Sequence, residues 1–197
     1  MIILNKYSVI IISLILFSSA YGKNWQNSFG LVAGNSGSGI SYQKSTKINS
    51  NIALGVHTKL YDIKAENEFV VYNRYTGQPE KTSEKYLILI PTFGFINYYP
   101  FEGKIENNIA PFITIQSGPL FTLDANEFND KFFDRWQKAG TYLTIGGHFG
   151  VGVDILMQGG SQVTVSAGND IYPMKKTIDG KTRYGGLALE FSFSKSF

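Results

Sequence analysis

Residues 142–155 alternate without a break. Leu143, Ile145, Gly147, Phe149, Val151, Val153 and Ile155 fall on one face of an extended chain, and Thr144, Gly146, His148, Gly150, Gly152 and Asp154 on the other. A repeat of two sustained over so many residues fits a β-strand and excludes a helix, whose repeat is about 3.6. The run is also longer than the roughly five or six residues of an ordinary soluble strand. It exceeds the about 9–11 residues with which a tilted strand crosses a bilayer. Residues 187–194 repeat the pattern: Leu187, Leu189, Phe191 and Phe193 alternate with Ala188, Glu190, Ser192 and Ser194 shortly before Phe197.

Three further rows read the same way. Ile109, Pro111, Ile113, Ile115 and Phe121 stand against Thr114, Gln116 and Gly118. Ile52, Leu54, Val56 and Leu60 oppose Gly55, His57 and Lys59, and Val163, Val165, Ala167 and Ile171 oppose Gln162, Thr164, Ser166 and Asp170. Residues 86–99 (YLILIPTFGFINYY) are apolar on both faces at their start. A soluble sandwich shows the same strand pattern with its apolar face turned inward, so alternation alone leaves two architectures open. Strand length favours a membrane, and so does a charged fraction of 17%, against about 25% in ordinary soluble domains. Tyr98, Tyr99 and Phe101 cluster at a strand end, as girdle residues do at a bilayer interface. Pro111 and Pro119 remove ladder donors and are expected at bulges or near the rims.

The chain has no cysteine, which excludes disulfides, thiolate metal sites, a cysteine nucleophile and a lipidated N-terminal cysteine. Its net charge of +3 is gathered into no basic block, so no nucleic-acid partner is expected. Lys6 precedes an apolar run over residues 7–17, and Ala20 and Gly22 then fit the small-x-small rule of signal cleavage. The run is well short of the roughly 20 residues of a spanning helix. The expected domains are a signal peptide over residues 1–22 and a barrel over residues 23–197.

A closed barrel with both termini in the periplasm needs an even number of strands. Counting back from Phe197, residues 172–181, 122–139 and 62–85 fall outside the cell, and residues 157–161 and 100–107 fall inside. At the front, residues 28–34 and 39–46 form either two strands joined by Asn35-Ser36-Gly37-Ser38 or one long bulged strand. In the second case residues 68–75 supply the missing strand. Both solutions give eight. The apolar face changes parity between Phe29, Leu31 and Ala33 and the pair Ile40 and Tyr42, which a glycine bulge explains as well as a turn. The bulge is the preferred solution.

With an export signal, alternating strands and FSFSKSF at residues 191–197, the chain resembles the small outer-membrane β-barrel family, the OmpA- and OmpW-like barrels. Ile90-Pro91-Thr92-Phe93, Ala110-Pro111-Phe112 and Gly118-Pro119 are similar to uncharacterised barrels of marine and Bacteroidetes-type bacteria. The resemblance implies an all-β fold, an eight-stranded antiparallel up-and-down transmembrane barrel in a Gram-negative outer membrane. It implies the lipid bilayer and the barrel-assembly machinery as partners, the latter reading Phe191, Phe193 and Phe197. Lys195 departs from that pattern, standing where an apolar residue is usual. No activity and no cofactor follow from it.

His57 and His148 are the two histidines, and both fall on polar faces, His148 together with Asp154. A lipid A- or phospholipid-modifying barrel would need a nucleophile and a base within hydrogen-bond reach, which no spacing here provides. No metal-ligand spacing is present either. An eight-stranded barrel is normally just filled by its own side chains, so His57, His148 and Asp154 are read as parts of a lumen polar network. Gly55, Gly94, Gly118, Gly146, Gly150 and Gly152 are assigned to the lumen face, making room for large neighbours. Residues 124–138 read as a short amphipathic loop helix. Asp124 and Glu127 form its capping pair, and Phe128, Phe132 and Trp136 recur every fourth residue, covering the rim or meeting an unidentified surface ligand. The resulting function is a non-catalytic structural or surface-interaction role, porin-like in architecture. An exported soluble barrel that binds a small apolar ligand is the remaining alternative.

Overall fold

Alternation gives most strands one apolar and one polar face, residues 87–95 being apolar on both at their start, and closing the sheet gives each face a single environment. In the computed structural model eight strands close in this way. They are β1 (Gln26–Gly34), β2 (Gly37–Lys47), β3 (Ile52–Ile63), β6 (Leu87–Tyr98), β7 (Ile109–Asp124), β8 (Gly140–Leu156), β9 (Ser161–Ile178) and β10 (Lys181–Lys195). The ring runs β1-β10-β9-β8-β7-β6-β3-β2 and is antiparallel throughout. β4 (Phe69–Tyr72) and β5 (Pro79–Thr82) pair with each other outside the ring. The structure describes residues 25–63, 69–72, 74, 77, 79–82, 87–105, 108–125, 139–178 and 181–195. The expected signal peptide, the loop segment carrying Phe128, Phe132 and Trp136, and Phe197 lie outside the described residues.

The apolar face points outward. Ile145 is 74% exposed and Phe29 66%, and Ile115, Val151, Leu189 and Phe191 are likewise exposed, while the polar residues between them are buried. A soluble barrel would be built the other way round. From Leu143 to Ile155 the β8 row rises about 30 Å at a rise of about 3.3 Å per residue and a tilt of about 40°. That matches a hydrocarbon core of about 30 Å. Lys195 lies at the end of β10, exposed and opposite Asn27 and Ser161.

Several expectations are corrected. Residues 28–34 and 39–46 are not one bulged strand: β1 and β2 form a hairpin turning at Asn35 and Ser36, with Gly34 opposite Gly37. Phe29 faces Tyr42 and Leu31 faces Ile40, so the turn itself reverses the parity of the apolar face. Gly37 has φ 101°, and a Cβ there would lie 2.4 Å from the Asp62 carbonyl oxygen, so the turn requires glycine. Residues 69–72 consequently join β5 instead of the barrel. The connection expected over residues 172–181 is mostly strand, since β9 runs to Ile178. Tyr99 is not a girdle residue, for it is buried inside the barrel while Tyr98 and Phe101 remain exposed. Gly94 shares the outward face of Ile96 and Tyr98, not the lumen face. Phe121 is buried, unlike the isoleucines of its row.

The prolines sit where the ladders lapse. Pairing of β6 with β7 is interrupted between Pro91–Leu120 and Gly94–Ser117, the gap into which Pro119 falls. Pro111 lies beyond the last pair on that side, Tyr98–Ile113. β3 and β6 likewise skip between Thr58–Thr92 and Tyr61–Leu89, at Pro91. A missing N–H is tolerated at such interruptions and rim positions.

Candidate functional site

Inward positions from six strands meet at mid-height in one hydrogen-bonded layer. β3 supplies three successive inward residues, His57, Lys59 and Tyr61, because every second side chain of a strand shares a face. β2 adds Ser41, β7 Gln116, β8 His148, β9 Asp170 and Tyr172, and β10 Glu190. Lys59 Nζ stands 3.6 Å from Asp170 Oδ1 and 3.6 Å from Glu190 Oε2. Each carboxylate is held further. His148 Nδ1 lies 2.7 Å from Asp170 Oδ1, and the Tyr61 hydroxyl donates to Oδ2 at 2.7 Å. Ser41 Oγ donates to Glu190 Oε1 at 2.7 Å, and His57 Nε2 lies 3.1 Å from the same oxygen. The other ring nitrogen of His57 is 3.0 Å from Gln116 Oε1. Lys59 and Asp170 are 3% and 1% exposed. Burial at that level is tolerated only for charges that are paired and hydrogen-bonded.

Above this layer, at the end opposite the termini, Leu87, Leu89, Phe93, Leu120, Tyr172 and Tyr184 pack as a buried apolar plug. Tyr172 bridges the two, its ring 5.9 Å from Tyr61 and 6.1 Å from Phe93. Below it, at the end carrying the termini, Tyr99 and Phe112 pack with centroids 5.6 Å apart beside Ala53 and Ala110. Glycine makes room for these rings: a Cβ on Gly152 would lie 2.4 Å from the Phe112 ring, and one on Gly168 would lie 2.7 Å from His148 Nε2. Three stacked layers close the lumen, and a small polar cavity remains beside the lowest.

His57 and His148 meet in this one layer through Glu190, Lys59 and Asp170, and Asp154 lies outside it. Its carboxylate accepts from Tyr99 at 2.8 Å and from Thr164 at 2.6 Å in the lower layer. Lys59, Asp170 and Glu190, which form the centre of the network, were not singled out from the sequence. The available signal was a charged residue on the polar face of a spanning strand, where ionisable groups cost most and therefore mark a specific role. Phe191 and Phe193 face outward on β10 opposite Leu31 and Phe29. Among the described residues the histidine rings bond Gln116, Glu190 and Asp170, and no hydroxyl reaches either ring. Among those residues, too, no three acidic or histidine side chains are arranged to hold a metal ion.

The fold and its outward apolar belt define the class: a small eight-stranded transmembrane β-barrel. Neisserial surface protein A has the same fold, with a TM-score of 0.60 over 88% of this chain and 96% of that one, at 12% identity. A major outer membrane protein from Thermus thermophilus superposes with a TM-score of 0.52 over 89% of this chain and 100% of its own, at 10% identity. No protein-family model matches the sequence. No functionally curated protein is detectably similar to it either. The likeness is one of architecture.

Proposed function

We propose that this chain is a non-catalytic barrel of a Gram-negative outer membrane, with a structural or surface-interaction role. In this reading residues 1–22 are a cleaved export signal, both termini are periplasmic, and the barrel-assembly machinery reads Phe191, Phe193 and Phe197. The observation that carries it is the pairing of an apolar exterior with a lumen closed by the Lys59–Asp170–Glu190 layer beneath the plug of Leu89, Phe93 and Leu120. An eight-stranded lumen blocked across its width argues against a general porin. An outward apolar face argues against an exported soluble barrel.

Heat-modifiable electrophoresis of the purified outer-membrane fraction, followed by conductance in planar bilayers, tests the reading. A mobility shift on boiling and no steady conductance are expected. Recovery in the aqueous periplasmic fraction without detergent, or sustained porin-scale conductance, would overturn it. The His148–Asp170 pair gives a lipid-modifying enzyme one point of support. Both rings, however, are buried in the lumen, away from the lipid that such an enzyme must reach. Unchanged lipid profiles on replacing His57 or His148 with alanine are expected, and an altered profile would favour the enzyme.

A further inference from the structure

We propose that the cavity at the end of the lumen carrying the termini is a binding site for a small primary ammonium ion, held by Asp154 and Asn97. The cavity measures about 250 Å³ and is lined chiefly by polar side chains of β1, β2, β6, β8 and β9. That is at the small end for a ligand pocket, since such pockets begin near about 300 Å³. It admits a cation of a few heavy atoms, not a sugar chain or a lipid.

One acceptor on its wall lacks a donor, and a second has room for a charged one. Asn97 is 5% exposed, and its Oδ1 has no hydrogen-bond partner among the described residues. A buried carbonyl oxygen left unpaired is costly, and this one lines open space. Asp154 is equally buried, and the groups that bond it are neutral: the Tyr99 and Thr164 hydroxyls and, beside them, the Gln162 amide. A carboxylate has about four acceptor positions, so these leave capacity for a charged donor. Lys47 is the cation among the lining residues; it acts on Asp154 through space and makes its ion pair with another carboxylate. It pairs with Glu102 at 3.2 Å and lies 5.0 Å over the Tyr99 ring, at the rim of the cavity.

An ammonium group answers both vacancies at once. It brings three donors and one positive charge, the complement of one amide oxygen and one carboxylate. The walls offer other hydroxyl and amide groups, Ser28, Ser45 and Gln162, for a polar substituent on the same ligand. An anion would meet Asp154, and a neutral alcohol would bring it no charged donor in direct contact.

The test titrates n-propylammonium into the folded full barrel in detergent micelles, following the Asn97 side-chain amide and the Tyr99 ring by NMR. 1-Propanol and propionate serve as comparators of the same size. Saturable shifts are expected with the ammonium ion alone. Asp154→Asn keeps the shape of the site and removes the charge, and it weakens binding by about ten-fold or more. Asn97→Val leaves the carboxylate untouched and weakens binding by about three-fold or more, the worth of one neutral hydrogen bond. Equal shifts with 1-propanol, no saturation with the ammonium ion, or undiminished binding in either variant would each overturn the assignment. The comparison between ligands in the unmodified chain needs no variant to fold.

Discussion

Replacing Lys59 with methionine preserves most of the side chain's volume and deletes one charge from the middle of the barrel. Two carboxylates lose their shared cation, each from a separation of 3.6 Å. At an effective dielectric constant of about 20, each such pair corresponds to roughly 4–5 kcal/mol of Coulomb attraction. Desolvation of the ions offsets much of that gain, and breaking a buried pair by removing one partner costs about 3–5 kcal/mol in practice. Lys59 serves two partners, so Lys59→Met is expected at the upper end of that range. The companion variant Lys59→Met/Asp170→Asn/Glu190→Gln removes all three charges while keeping the shapes. It should recover at least about 2 kcal/mol, because a neutral replacement of a buried ion cluster is often close to isoenergetic. Urea unfolding in lipid vesicles, followed by tryptophan fluorescence and by the electrophoretic shift of the folded barrel, measures both. A loss below about 1 kcal/mol in the single variant, or no recovery in the triple variant, would refute the claim that Lys59 compensates buried charge.

Other consequences of the fold can be checked in the same assay. Val151, 59% exposed in the middle of the β8 belt, should lose about 2–4 kcal/mol as Val151→Arg if it faces hydrocarbon; a change within experimental error would place it elsewhere. Gly152→Ala pushes a methyl group into the Phe112 ring and should cost about 1–3 kcal/mol. Adding Phe112→Leu should relieve part of that cost, whereas strictly additive losses would mean that the two do not touch. Gly37→Ala combines a positive φ with a close approach to the Asp62 carbonyl and should destabilise the β1–β2 hairpin by about 1–3 kcal/mol, read as slower refolding and a lower urea midpoint. An unaffected variant would show that the turn does not hold the strained conformation.

The alternation over residues 142–155 and 187–194 determined the strands, and with them the side of the sheet on which each residue lies. That information is local, because successive side chains of an extended chain point in opposite directions whatever lies beside it. Parity set an even strand count and put His57, His148 and Asp154 on the polar faces of their strands. Three things did not follow. Parity reverses equally at a bulge and at a two-residue turn, so only the pairing of Phe29 with Tyr42 showed that the front of the chain is a hairpin. Tyr99 keeps the inward parity of Phe95 and Asn97, but its place in an aromatic cluster at a strand end read as a girdle until its burial and its bond to Asp154 placed it inside. Which inward residues meet depends on ring order and register, which bring Lys59 of β3 against Asp170 of β9 and Glu190 of β10 across the lumen. The sequence chose a face for every residue, and closure of the barrel chose its partners, because burial of charge is decided by neighbours that are distant along the chain.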